Sequence, residues 1–67
     1  MSVVKVIELS AESEKSFEDA IQDGVERANQ TLDKVKGAWI NEMKIDVEDG
    51  KITNYRVNMK VTFVLKG

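Results

Sequence analysis

The chain has 67 residues, 42% of them hydrophobic, with 12 acidic and 10 basic side chains and a net charge of −2. It contains no cysteine and no histidine, which excludes disulfides, thiolate metal sites and the commonest general base. A core this small usually needs self-association where disulfides and metals are missing. The sequence therefore predicts one domain, residues 1–67, that assembles with its own copies, and the charge offers no basis for nucleic-acid binding.

No stretch of the sequence has the length of apolar residues that crosses a membrane or the hydrophobic segment of a signal peptide. We therefore expect a cytoplasmic protein with no membrane partner.

The first part of the chain predicts a strand followed by an amphipathic helix. Val3–Leu9 is β-branched and apolar, which favours a strand. Ser16 is the predicted helix N-cap, with Ser13 as a competing start, and Gly37 is the predicted left-handed stop. Apolar residues at spacings of three and four predict a helical stripe that faces a sheet, with Gly24 allowing close approach. The stripe consists of Phe17, Ala20, Ile21, Gly24, Val25, Ala28, Leu32 and Val35.

The second part predicts a long antiparallel hairpin. Its strands run from about Ala38 to Val47 and from Lys51 to Leu65, and the Asp49-Gly50 pair between them is typical of a hairpin turn. Alternation assigns to one face Trp39, Asn41, Met43, Ile45, Val47, Tyr55, Val57, Met59, Val61, Phe63 and Leu65. The opposite, polar face consists of Glu42, Lys44, Asp46, Glu48, Asn54, Arg56, Asn58, Lys60 and Thr62.

Together these elements predict an α+β fold, a three-stranded antiparallel sheet in β-α-β-β order wrapped around one amphipathic helix. The predicted core consists of Phe17, Ile21, Val25, Ala28, Leu32, Val57, Met59, Val61 and Phe63. Because one helix covers one face of the sheet, the polar face must meet solvent, a ligand or another subunit.

Several segments, in order along the chain, carry a family likeness. They are Val4-Lys5-Val6-Ile7-Glu8-Leu9, Ser13-Glu14-Lys15-Ser16-Phe17, Ala28-Asn29-Gln30-Thr31-Leu32, the lone Trp39, and Tyr55-Arg56-Val57-Asn58-Met59-Lys60-Val61-Thr62-Phe63. This ordered set resembles the dodecin family over essentially the whole chain. The resemblance implies a hollow homododecamer that stores or buffers a flavin, either FMN or riboflavin, with paired flavins lying between tryptophans.

The resemblance also implies two cofactor-binding residues. Trp39 falls where dodecins stack the flavin, and its indole would also quench the photochemistry of the excited ring. Arg56 falls where flavin-binding members usually carry a glutamine that bonds the polar edge of the ring. Arginine has five donors and no acceptor, so it can bond the ring carbonyls but cannot accept from the flavin N3–H.

The resemblance also implies an alternative function, because some dodecin relatives with arginine at this position bind flavin poorly and are linked to calcium instead. The alternative is a dodecin-like shell with a structural or ion-binding role. Glu42, Asp46, Glu48 and Asp49 offer hard oxygen ligands for Ca²⁺ or Mg²⁺, although they lack the spacing of an EF-hand loop. An enzyme is not expected, because no pair of carboxylates, lysines or tyrosine stands out as an acid–base site.

Overall fold

The computed structural model describes residues 3–32 and 34–65, apart from the side chains of residues 31 and 32. The elements in chain order are β1 (Val3–Ser13), α1 (Phe17–Leu32), β2 (Val35–Glu48) and β3 (Lys51–Leu65). The strands form one antiparallel sheet in the order β1-β3-β2. The predicted α+β fold, with its β-α-β-β order and single helix, is therefore confirmed.

The helix starts at the predicted cap. The Ser16 hydroxyl accepts a hydrogen bond from the Asp19 amide at 3.0 Å, and the Ser16 carbonyl accepts the first helical bond from Ala20 at 3.1 Å. This is the usual geometry of a serine N-cap. Ser13, the competing start, instead ends β1, and its hydroxyl donates to the Asp19 carboxylate at 2.7 Å.

The helix ends at Leu32, earlier than predicted. Lys34 has a left-handed φ of 56°, and the Val35 amide donates to the side-chain oxygen of Asn29 at 3.2 Å. Val35 therefore begins β2, and Gly37, the predicted helix stop, lies inside that strand. The predicted helix stop at Gly37 is wrong because the left-handed residue is Lys34. Left-handed backbone is uncommon at a lysine, so the sequence favoured the next glycine as the stop.

The core lies between α1 and one face of β3. Its buried residues are Ala20, Ala28, Val57, Met59, Val61 and Phe63. The half-buried Phe17, Ile21 and Val25 pack against it, and the Phe17 ring meets that of Tyr55 edge-on at 5.1 Å between centroids. The predicted core is confirmed for every described member, while the side chain of Leu32 lies outside the described residues.

The sheet is much longer than the helix that covers it. The molecule extends 52 Å along its longest axis, whereas 16 helical residues span about 24 Å. The distal end of the hairpin therefore carries uncovered apolar side chains. These are Met43, Ile45, Val47 and Ile52, all exposed. Such side chains are suited to burial against another chain. Within the described ranges, no helix has the length and apolar character to cross a membrane.

Candidate ligand-binding face

The register of the hairpin moves Trp39 to the polar face of the sheet. Trp39 pairs with Lys60 and Ile40 with Met59, but the next pair is Glu42 with Asn58. Asn41 is thus an extra residue in β2, a bulge that changes which face the following residues occupy. The predicted alternation, which put Trp39 on the same face as Met43, is wrong at this point. Trp39 instead shares a face with Glu42, away from the helix.

The indole of Trp39 is available to a ligand within this chain. The residue is 59% exposed, and its cross-strand partner Lys60 is also exposed. On the other side of β3, Glu8 of β1 pairs with Lys60. An exposed aromatic plane flanked by charged side chains can stack a flat heterocycle while its polar substituents stay hydrated.

Arg56 lies on the same face and is tied to carboxylates from both neighbouring strands. Its Nε and Nη2 donate to the Glu12 Oε1 at 3.0 and 2.8 Å, and Nη2 lies 3.6 Å from the Asp46 Oδ2. The Asn54 amide donates to the same Glu12 oxygen at 2.7 Å and to Asp46 at 3.4 Å. These contacts hold the guanidinium against the sheet.

The contacts of this cluster shift two pKa values in opposite directions. The hydrogen bonds that Arg56 and then Asn54 donate, together with the positive charge of Arg56, lower the pKa of Glu12. The hydrogen bond to Glu12 and the negative charges of Glu12 and Asp46 raise the pKa of Arg56. The side chains of Arg56 and Glu12 are 38% and 51% exposed, so solvent screens the pair and its contribution to stability is small.

Asn58 occupies the middle of this face. Its Nδ2 donates to the Glu42 Oε1 at 3.0 Å, and its Oδ1 accepts a hydrogen bond from the Ser10 hydroxyl. Asn58 also lines an open depression of about 190 Å³, together with Glu42, Met43, Lys44 and Arg56. The depression therefore begins beside Glu42, three residues along β2 from Trp39.

Trp39 and Arg56 do not come together within one chain. Arg56 lies four residues along β3 from Lys60, the partner of Trp39, which corresponds to about 14 Å of strand. Asn58 lies between them on the same face. Asn58 belongs to the predicted polar face, but the sequence pattern assigns it no role. The signal for one is its spacing of two residues from both Arg56 and Lys60, which puts all three side chains on one face.

Two of the four acidic residues considered as metal ligands contact other side chains of the sheet. Glu42 accepts from Asn58, and Asp46 is close to Arg56 and Asn54. Among the residues that the structure describes, no three His, Cys, Asp or Glu side chains are grouped so that they could hold a metal ion. The described part of a single chain therefore gives no support to a cation site.

Comparison with known proteins identifies relatives along the whole chain. The family model for dodecin matches residues 3–66. The chain is 37% identical over 67 residues to calcium dodecin of Mycobacterium tuberculosis, covering 98% of this chain and 93% of the relative.

Solved structures give the same relationship. Dodecin from Streptomyces davaonensis superposes with a TM-score of 0.91 at 30% identity, covering 98% of this chain and 97% of the other. A mutant of Thermus thermophilus dodecin superposes with a TM-score of 0.92 at 30% identity, and the match covers both chains fully. The crystal structure of calcium dodecin from Mycobacterium tuberculosis superposes with a TM-score of 0.81 at 35% identity, covering 97% of this chain and 93% of the other. That protein is described as having a novel calcium-binding site.

Proposed function

The chain belongs to the dodecin family, and from this premise we propose that it is a flavin-binding storage and buffering protein. In this proposal it forms a hollow homododecamer and stacks FMN or riboflavin on Trp39. The observation that carries the proposal is the position of this indole, exposed on the sheet face away from the core. Unlike the exposed apolar side chains at the distal end of the hairpin, this indole lies on the polar face of the sheet, which it shares with Glu42 and Lys60.

Stacking explains how such a site would hold its ligand. A flat ring on an aromatic side chain gains about 1–3 kcal/mol, and an isoalloxazine presents a large flat surface. An indole in direct contact with the ring would also quench its excited state by electron transfer. The same contact would therefore bind the flavin and suppress its photochemistry.

Arg56 is the second proposed flavin-binding residue. Two of its three guanidinium nitrogens, Nε and Nη2, bond Glu12, which leaves Nη1 to donate to a ring carbonyl. The distance between Trp39 and Arg56 along the sheet is compatible with this role if one ring is contacted by two chains of the oligomer. The acceptor that arginine lacks must then come from another side chain.

A binding role without turnover is the proposed mode of action, and the proposed location is the cytoplasm. Uptake and release of the flavin would require no acid–base chemistry, so the missing histidine and cysteine are compatible with it. Self-association is supported by the uncovered apolar side chains at the distal end of the hairpin.

A second candidate function is ion binding by a flavin-free shell. It is favoured by the similarity to calcium dodecin and by the ion pair that already occupies Arg56. It is opposed by the contacts of Glu42 and Asp46 with neighbouring side chains and by the lack of a cluster of metal-ligating side chains within the described part of the chain. The exposed Trp39 gives the flavin function the stronger support.

The two functions can be separated with purified protein. Titration of riboflavin or FMN, followed by flavin fluorescence, should show strong quenching with saturation, and Trp39→Ala should lose most of it. Calorimetric titration with Ca²⁺ is the parallel experiment. Quenching that depends on Trp39 supports flavin binding, whereas saturable calcium binding without any effect on flavin fluorescence would establish the alternative.

A further inference from the structure

The polar edge of a flavin ring sets a specific chemical demand. Its pyrimidine end carries an N–H between two carbonyl groups, an imide edge. A complementary side chain must therefore offer a hydrogen-bond acceptor beside a donor. Charged side chains meet half of this demand, since lysine and arginine only donate and an ionised carboxylate only accepts.

The side chains near Trp39 can be compared on this basis. Lys60, directly across the strand, only donates, and Glu42 only accepts when ionised. The hydroxyl of Thr62 already donates to a backbone carbonyl of β2 at 3.1 Å. Asn58 carries a planar amide with both a donor and an acceptor. It lies two residues from Lys60 on the same face, half the distance of Arg56.

The contacts of Asn58 fix which way its amide points. The Glu42 carboxylate accepts at 3.0 Å, which requires the amide nitrogen on the side of β2. The Ser10 hydroxyl donates to the amide oxygen from the side of β1. An amide has two N–H groups and two lone pairs, so one donor and one acceptor are left for a ligand in a defined orientation.

We infer that Asn58 recognises the imide edge of a flavin stacked on Trp39, with Ser10 and Glu42 as the positioning residues. This inference rests on the proposed flavin-binding function and adds the residue that selects the ring by its edge. Asn58 thereby supplies the acceptor that Arg56 lacks.

Two simple flavins test the inference. Lumiflavin has the ring without the sugar or phosphate, and 3-methyllumiflavin differs by a methyl group that replaces the imide hydrogen. The parent protein should bind lumiflavin about tenfold more tightly than the methylated ring, which corresponds to one hydrogen bond. Asn58→Leu should weaken lumiflavin binding about tenfold and remove the preference between the two rings.

Gln22→Leu is the matched control. Gln22 is exposed and, like Asn58, its amide nitrogen donates to a carboxylate, in this case that of Glu26 at 3.1 Å. It lies on α1, on the other side of the sheet from Trp39, so its loss should leave both affinities and the preference unchanged. Light scattering reports whether each variant assembles, and Asn58→Ala replaces the leucine variant if assembly is disturbed.

The outcomes separate the inference from the function on which it rests. The role of Asn58 is overturned if the parent binds lumiflavin and 3-methyllumiflavin equally well. It is also overturned if the Asn58 variants keep the preference for lumiflavin over the methylated ring. Both outcomes would leave flavin binding intact. A parent protein that binds neither ring, and no riboflavin or FMN, would overturn both.

Discussion

Trp39 and Lys60 are direct cross-strand partners, and this pairing puts the indole on the face of the sheet opposite the helix. The pairing exists because β2 carries one extra residue at Asn41. Without that bulge, Trp39 would follow the apolar alternation onto the helix side, where Met43 and Ile45 lie. A change of one residue in register thus converts a potential packing residue into a candidate stacking surface.

Replacement of Trp39 by alanine is expected to weaken flavin binding by about 1–3 kcal/mol, roughly 5- to 150-fold. The reason is the loss of the stacking surface, and the affinity is measured by titration of flavin fluorescence. The assembly should stay intact, because the side chain is exposed and the buried residues of β3 are unchanged. Trp39→Phe, which keeps an aromatic plane, should retain part of the affinity. Undiminished binding by the alanine variant would refute the stacking role.

Replacement of Arg56 by glutamine is expected to tighten flavin binding in the Asn58→Leu background, where the imide hydrogen has lost its acceptor. Glutamine provides an acceptor as well as a donor, and one additional hydrogen bond corresponds to about 0.5–1.5 kcal/mol, or about 2- to 10-fold. Arg56→Lys in the same background keeps the positive charge without an acceptor and should not tighten binding. If the double variant and Asn58→Leu have equal affinities in the same titration, Arg56 does not face the ring.

The ion pair between Glu12 and Arg56 predicts a small loss of stability in acid. The hydrogen bonds and charge of Arg56 lower the pKa of Glu12 in the folded protein. The stabilisation is therefore present above the ordinary glutamate pKa of about 4.3 and is lost as the pH falls through the lowered value.

Urea unfolding of the parent and of Glu12→Gln between about pH 7 and pH 3 measures this effect. The parent should be the more stable protein at neutral pH, and the difference should shrink toward acid. Glu14→Gln, at an exposed position outside the cluster, is the control and should show no such change. A difference that is constant across the range would mean that the pair does not couple folding to protonation of Glu12.

The alternation and turn chemistry of the hairpin were sufficient to predict β3 with its observed bounds, Lys51–Leu65. Asp49 and Gly50 both have positive φ, 52° and 75°, as a two-residue hairpin turn requires. The bulge at Asn41 could not be predicted, because an extra residue in an edge strand leaves no compositional signal. The face occupied by Trp39 was therefore assigned wrongly.

Local sequence patterns also could not predict which side chains contact Arg56. Glu12 is 44 residues away in sequence, and the contact depends on β3 lying between β1 and β2. The predicted β1 ends at Leu9, four residues before the observed end at Ser13, so the prediction leaves Glu12 in a connecting segment. The strand order and the full length of β1 are what bring the carboxylate to the guanidinium.

Gly24→Ala is expected to destabilise the fold, because the helix approaches the sheet at this residue as predicted. An added Cβ would lie 2.9 Å from the Met59 Cε, 3.1 Å from the Ala11 Cβ and 3.3 Å from the Leu9 Cδ1. The Met59 Cε ends a flexible side chain, but the Ala11 Cβ is fixed to the backbone of β1, so the strand must shift to make room. Overpacking costs about 1–3 kcal/mol, and the gain in helix propensity of about 1 kcal/mol offsets part of this cost. A lower thermal midpoint is the expected observation. Gly37→Ala, where the Cβ would meet Thr62 Oγ1 at 3.6 Å, should have little effect.

The uncovered apolar strip of the hairpin, defined by Met43, Ile45, Val47 and Ile52, predicts how the oligomer can be disrupted. Light scattering of the parent should give a closed assembly near twelve times the 7.5 kDa subunit mass. Ile45→Glu places a charge in the strip and should shift the protein to smaller species, because burial of an unpaired carboxylate is costly. Lys44→Glu, on the opposite face of the same strand, should keep the parent mass. A parent that is a stable monomer at micromolar concentration would contradict the proposed assembly, and an intact Ile45→Glu oligomer would exclude the strip from its interfaces.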